Sequence, residues 1–146
     1  MRATSHRRNN VTAMSESAAK RYLAIKSLMM PRDTNPAGTI FGGVILSYID
    51  QAGAAGARFE IARNNWPEVP IVTVAVDSVE FLQPVFVGDL ISFWTEPLRV
   101  GRTSITMRVT VEADRGGEIF RVTQAHVTYV AVRREDDHRI PVSIRG

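Results

Sequence analysis

The chain has no cysteine in its 146 residues. That absence removes disulfides, thiolate metal sites and cysteine nucleophiles, and it suits a reducing compartment. Histidine is scarce too. The three present, His6, His126 and His138, stand far apart, and none has a second ligand at a useful spacing, so no metal is expected. Long apolar runs are also missing. The opening "MRATSHRRNNVTAMSESA" has no stretch that could serve as a signal-peptide core, and nothing later reaches the length of a membrane span. The expectation is a soluble, cytoplasmic protein.

No large excess of one charge exists either: 18 Lys and Arg stand against 15 Asp and Glu. Within residues 1–18, three arginines (Arg2, Arg7, Arg8) meet only Glu16, which leaves 15 basic and 14 acidic side chains for the rest. A duplex-binding domain concentrates positive charge on one face or helix. Here arginine is scattered over a nearly neutral body, so no nucleic-acid partner is expected. The apolar content, 45%, is that of a globular protein, and the length suits one domain with a substantial core. Residues 1–18 therefore read as a flexible polar arm and 19–146 as a single domain.

Along that domain, "KRYLAIKSLMM" (20–30) is a strand ended by Pro31, and "PRDTNPAGT" is loop chemistry. From Gly42 to about Ala62 the pattern is helical, since Ile45, Ile49, Ala52 and Gly56 recur at spacings of three and four. Small residues from Ala52 to Ala57 imply that a sheet or second helix approaches closely, because helix-interior glycine costs about 1 kcal/mol. Strands follow. In "IVTVAVDSVEFLQPV" (71–85) the apolar alternation changes parity after Val76, which predicts a bulge near Asp77 and Ser78. "VGD" (87–89) is a turn, "LISFWTEPLRV" a strand, and "GRTSITMRVTVEA" a strand with Ile105, Met107, Val109 and Val111 on one face. "DRGGE" is a hairpin turn, and "IFRVTQAHVTYVAVRR" (119–134) is the last long strand. The order predicts a strand, one long helix and four strands in an antiparallel meander, an α+β fold.

Three segments are more specific than the pattern. "DTNPAGTIFGGVILSYIDQAGA", "VTVAVDSVEFLQPVFVGDLI" and "VGRTSITMRV" resemble the YciA and brain acyl-CoA hydrolase group of hot-dog thioesterases, over about residues 20–134. The resemblance implies a hot-dog fold, one long helix wrapped by a five- or six-stranded antiparallel sheet. It also implies hydrolysis of acyl-CoA to free fatty acid and CoA, with no cofactor, since CoA is part of the substrate. Sites would lie at the interface of a hot-dog dimer, assembled further into a tetramer or hexamer. By position, Asp50 matches the helix carboxylate of the family, Asn35 its loop asparagine, and Gly42 and Gly43 the glycines at the helix start.

Thioester hydrolysis needs a nucleophile and donors for the developing oxyanion. The first N–H groups of a helix lack internal partners and sit at the positive end of its dipole. Glycine at 42 and 43 would let a substrate carbonyl reach them, forming an oxyanion hole; the same glycines would equally permit tight packing. Asp50 is the only charge between Asp33 and Arg58, and there it can activate water as a general base or attack directly to give an anhydride. Its other reading is a solvated helix charge. Asn35 can orient the water or the thioester, or simply form a turn before Pro36. In "GRTS", Gly101, Arg102, Thr103 and Ser104 offer N–H groups, hydroxyls and a charge for phosphate or pantetheine, or a polar hairpin turn and nothing more. Two rival functions share the fold: a non-catalytic acyl-CoA sensor, which could dispense with the carboxylate, and an enoyl-thioester hydratase, whose acid and histidine pairing at the helix is not met here, because the helix has no histidine.

Overall fold

The computed structural model describes residues 21–146, so the arm expected over 1–18 lies outside the described residues. Strand β1, Tyr22–Leu28, precedes a 3-10 turn, Pro31–Asp33, and the long helix α1, Gly42–Arg63. Five strands follow: β2 (Ile71–Phe81), β3 (Leu90–Val100), β4 (Ser104–Arg115), β5 (Glu118–Glu135) and β6 (His138–Pro141). All pairings are antiparallel. This is one helix held against a six-stranded sheet.

The helix stops where its sequence can close it. Asn65 takes a left-handed φ of 56°, its N–H donates to Ala62 O at 3.1 Å, and Trp66 N–H donates to Ile61 O at 3.1 Å. That is the Schellman pattern, with Asn in the place glycine usually fills. The buried stripe of α1 runs Ile45, Ile49, Ala52, Gly53, Gly56, Ala57 and Ile61, and it lies on alternating residues of β3, β4 and β5 that are themselves buried. The close approach foreseen for the small residues is made by the sheet. A Cβ at Gly53 would strike the hydroxyl of Tyr129 on β5, and one at Gly56 would lie 2.7 Å from Cβ of Thr95 on β3.

The strand order is β1-β3-β4-β5-β2, with β6 also on β5. The expected meander therefore holds only for β3, β4 and β5. Strand β2 crosses to the far edge and pairs with β5, from Ile71↔Ala131 to Phe81↔Thr123. The turn read in "VGD" exists, with Gly88 at φ 90°, but it ends an eight-residue crossover (82–89) and closes no hairpin. An ion pair with a buried carboxylate and a partly exposed guanidinium fastens this crossover: Arg115 at the end of β4 donates to both carboxylate oxygens of Asp89 (2.9 and 2.8 Å) and to Pro84 O (3.2 Å). At the edge, β2 carries the foreseen irregularity between Asp77 and Glu80, with Ser78 at φ 56°, and a second shift between Thr73 and Ala75. Its apolar alternation faces outward: Val74 is 55% and Val76 42% exposed.

Candidate active site

The segment before α1 is a tight turn built on Asn35. Its N–H donates to Thr39 O (2.7 Å), its side-chain oxygen accepts from the N–H groups of Ala37 (2.9 Å) and Thr39 (3.2 Å), and its amide donates to Thr39 Oγ1 (2.7 Å). Asn35 thus shapes the approach to the helix through short-range bonds of its own loop. Beyond it, Ile40 N–H donates to Val85 O, Phe41 N–H to Asp33 O and Val44 N–H to Phe41 O. The N–H groups of Gly42 and Gly43 have no acceptor among the described residues. They are the free donors at the positive end of a 22-residue helix. A Cβ at Gly43 would meet nothing within 4 Å, while one at Gly42 would make ordinary contact, 3.5 Å, with the ring of Phe81. Packing within the chain does not require either glycine.

Asp50 is half-buried and turned toward the sheet. Its Oδ1 accepts from Thr73 Oγ1 on β2 at 2.7 Å, and the Tyr129 hydroxyl lies 2.7 Å from Asp50 O and 3.2 Å from Oδ1. Burial, then the Asp50 charge and the hydrogen bond to it, push the Tyr129 hydroxyl well above its ordinary value. Tyr129 therefore remains a donor at any working pH. Sequence reasoning passed over both partners. Thr73 and Tyr129 lie 23 and 79 residues from Asp50, and the one available signal was a tyrosine among small residues in a strand of core parity.

The "GRTS" turn joins β3 to β4 at the same end of the sheet. Tyr129 pairs with Thr73 on one side and with Ile105 on the other, and Ser104 is the next residue. The turn is closed by Gly101 N–H donating to Ser104 O at 2.8 Å, and the carbonyls of Thr103 and Arg102 accept from Ala131 and Ile144 N–H. The N–H groups of Arg102 and Thr103 have no backbone acceptor among the described residues, and the Arg102 side chain is exposed. The helix start lies at the other end, beside Phe81, where Thr39, Gly42, Ile45, Phe81, Leu82 and Val85 line a groove of about 260 Å³. So one chain gathers Asp50 with Thr73, Tyr129 and the 101–104 turn, and gathers Asn35 with Gly42 and Gly43, as two separate groups.

A cavity of about 550 Å³ is lined by Tyr22, Phe59 and Trp66 among others and touches neither group. Its size carries no chemistry, because no carboxylate or free donor from either group reaches it. His126 lies 3.9 Å from Asp77 on the outer face, and no group of three or more acidic or histidine residues is placed to hold a metal among the described residues. No helix among them is long and apolar enough to cross a membrane.

The model of the thioesterase superfamily matches residues 37–120. A Haemophilus influenzae protein named as an uncharacterized acyl-CoA thioester hydrolase is 41% identical over 128 residues, covering 84% of this chain and 79% of that one. Acyl-CoA thioester hydrolase YciA of Escherichia coli is 36% identical over 126 residues, covering 82% and 91%. Among solved structures, a hexameric hot-dog fold thioesterase of Campylobacter jejuni superposes with a TM-score of 0.68 at 47% identity, covering 83% and 90%. The chain belongs to the thioesterase superfamily, among its hot-dog acyl-CoA thioester hydrolases.

Proposed function

We propose that the chain hydrolyses acyl-CoA to free acid and CoA, using Asp50 against an oxyanion hole at Gly42 and Gly43, in a site completed by a second copy. The observation that carries this reading is Asp50 itself. It is the only charge on the helix before Arg58, in the part made for close packing, and its carboxylate is held by hydroxyl donors rather than left in solvent. No cofactor is called for, and a chain without cysteine suits the reducing cytoplasm.

The need for a second copy follows from helix geometry. Seven or eight residues at about 1.5 Å each put Asp50 roughly 11 Å along the axis from the glycines. A reacting carbonyl needs its nucleophile and its oxyanion donors each within about 3 Å. One chain cannot supply both. Strand β2 offers the solution, because Asp50 bonds Thr73 near its start and Gly42 rests on Phe81 at its end. Pairing β2 antiparallel with the same strand of a second copy, about a two-fold axis near Asp77, exchanges those ends. Asp50 then faces the partner's Gly42 and the partner's Gly43, and the exposed Val74 and Val76 are covered. The C. jejuni relative is hexameric, an assembly that dimers of this kind can form.

In the general-base route, Asp50 takes a proton from water as the water oxygen bonds to the thioester carbon. The carbonyl electron pair moves onto its oxygen, against the Gly42 and Gly43 N–H groups. On collapse the C–S bond breaks, and the proton on Asp50 passes to the CoA sulfur. In the anhydride route, Asp50 bonds to the carbon, CoA thiolate leaves, and water cleaves the anhydride. The 101–104 turn would receive CoA through its open N–H groups and Arg102. Asp50→Asn keeps the shape and removes the base, so kcat should fall by about two to four orders of magnitude, with sedimentation unchanged. Wild-type turnover in that variant would overturn the assignment.

A further inference from the structure

The two oxygens of the Asp50 carboxylate are not equivalent. Oδ1 accepts from Thr73 Oγ1 at 2.7 Å and meets the Tyr129 hydroxyl at 3.2 Å, whereas Oδ2 has no hydrogen-bond partner among the described residues. We infer that Tyr129 is a positioning residue for the reaction: with Thr73 it pins Oδ1, which makes Oδ2 the oxygen that meets water or the thioester. The inference rests on the reading of Asp50 as the reacting group and goes beyond it by naming the working atom and what holds it.

The chain commits resources to this contact. Tyr129 is 1% exposed, and its hydroxyl is a buried polar group that requires a partner. It reaches one only because position 53 is glycine: any Cβ there would occupy the place of the hydroxyl. Both acceptors it finds belong to Asp50. Its single proton is shared between the main-chain oxygen, at 2.7 Å, and Oδ1, at 3.2 Å. The main-chain bond fixes the ring relative to the helix, and the weaker share falls on the carboxylate. Donation to Oδ1 occupies that oxygen and leaves Oδ2 open to take a proton or attack. When Oδ2 gains a proton during the reaction, the hydroxyl proton can return wholly to the main-chain oxygen without leaving either group unsatisfied.

Nothing else nearby competes for this role. Asp50 forms no ion pair among the described residues. The other charged groups of α1 are engaged elsewhere, Glu60 with Arg63 and Arg58 with Glu68, and Tyr48 packs on Phe93. On β2 and β5, Asp77 and His126 face each other on the outer surface, and on β4 Arg108 faces Glu96 of β3.

The test is the split between kcat and KM in Tyr129→Phe, which removes the hydroxyl and keeps the ring. Freed to turn, the carboxylate should lower kcat by up to about tenfold while KM for an acyl-CoA stays unchanged. In the Asp50→Asn background the same substitution should change nothing further. Wild-type kcat in a folded Tyr129→Phe protein overturns the inference, and an equal loss in the Asp50→Asn background would mark Tyr129 as only a core residue. The two readings fail separately. Full activity in Asp50→Asn removes the catalytic assignment, whereas an inactive Asp50→Asn with wild-type kcat in Tyr129→Phe removes only this one. If Tyr129→Phe is too unstable to assay, Thr73→Val, on the edge strand, should lower kcat in the same way at unchanged KM; an unchanged kcat there also overturns the pinning of Oδ1.

Discussion

Asp50 could be singled out from sequence because a charge inside a Gly/Ala-rich helical stretch contradicts the pattern around it. Its partners could not, since contact across a sheet leaves no local trace. Asp89 shows the same limit. In sequence it is the last residue of a polar turn, yet it is 2% exposed and bonded to Arg115, 26 residues away. Those hydrogen bonds foremost, and that from Phe86 N–H, hold its carboxyl below the usual range, against the opposing effect of burial. The stability this pair contributes is fully present above the unfolded value, about 3.9. It is lost as pH falls from there through the lower folded value. Asp89→Asn should therefore melt earlier than wild type at pH 7, and the gap between the two melting temperatures should narrow below about pH 4. Melting curves that stay parallel down to pH 3 would contradict this.

At the scale of elements, the helix and most strands were legible to within a few residues, because hydrophobic periodicity and turn residues are local signals. The destination of β2 was not. Eight residues can make a crossover or a loose hairpin, and the contacts that hold the crossover, Arg115 with Asp89 and β2 with β5, come from later strands. The helix glycines illustrate how far local reasoning reaches: it foresaw close approach but could not say by what. Their roles separate experimentally. Gly53→Ala and Gly56→Ala press a methyl onto Tyr129 and Thr95, and each should destabilise by about 1–3 kcal/mol in urea unfolding despite the helix propensity gained. Gly43→Ala meets nothing and should leave stability within about 0.5 kcal/mol, while kcat falls because the methyl stands where the substrate carbonyl must come. Unchanged turnover in Gly43→Ala would remove that glycine from the oxyanion hole.

For the whole molecule, the proposed exchange of strand ends has a quantitative consequence. Asp50→Asn and Gly43→Ala subunits, each weakly active alone, should complement when dissociated and reassembled together. A mixed dimer holds one site with both natural residues and one with neither. Random pairing makes about half the dimers mixed, so recovery should approach a quarter of wild-type activity. Absence of recovery, with subunit exchange verified by mass spectrometry, would mean that both residues of a site come from one chain. The strand order also bears on how the chain reaches its native state. Strands β3, β4 and β5 join through short turns, so their contacts close small loops at little entropic cost. Strand β2 must instead wait for β5, and Glu80 O meets Thr123 Oγ1 across 43 residues. During synthesis, α1 and β2 leave the ribosome before the sheet that receives them exists. Strand β2 stays without its neighbour, and Gly53 without the tyrosine that packs on it, until Glu118–Glu135 emerges, so that last long strand sets the moment at which a subunit becomes able to recognise its twin.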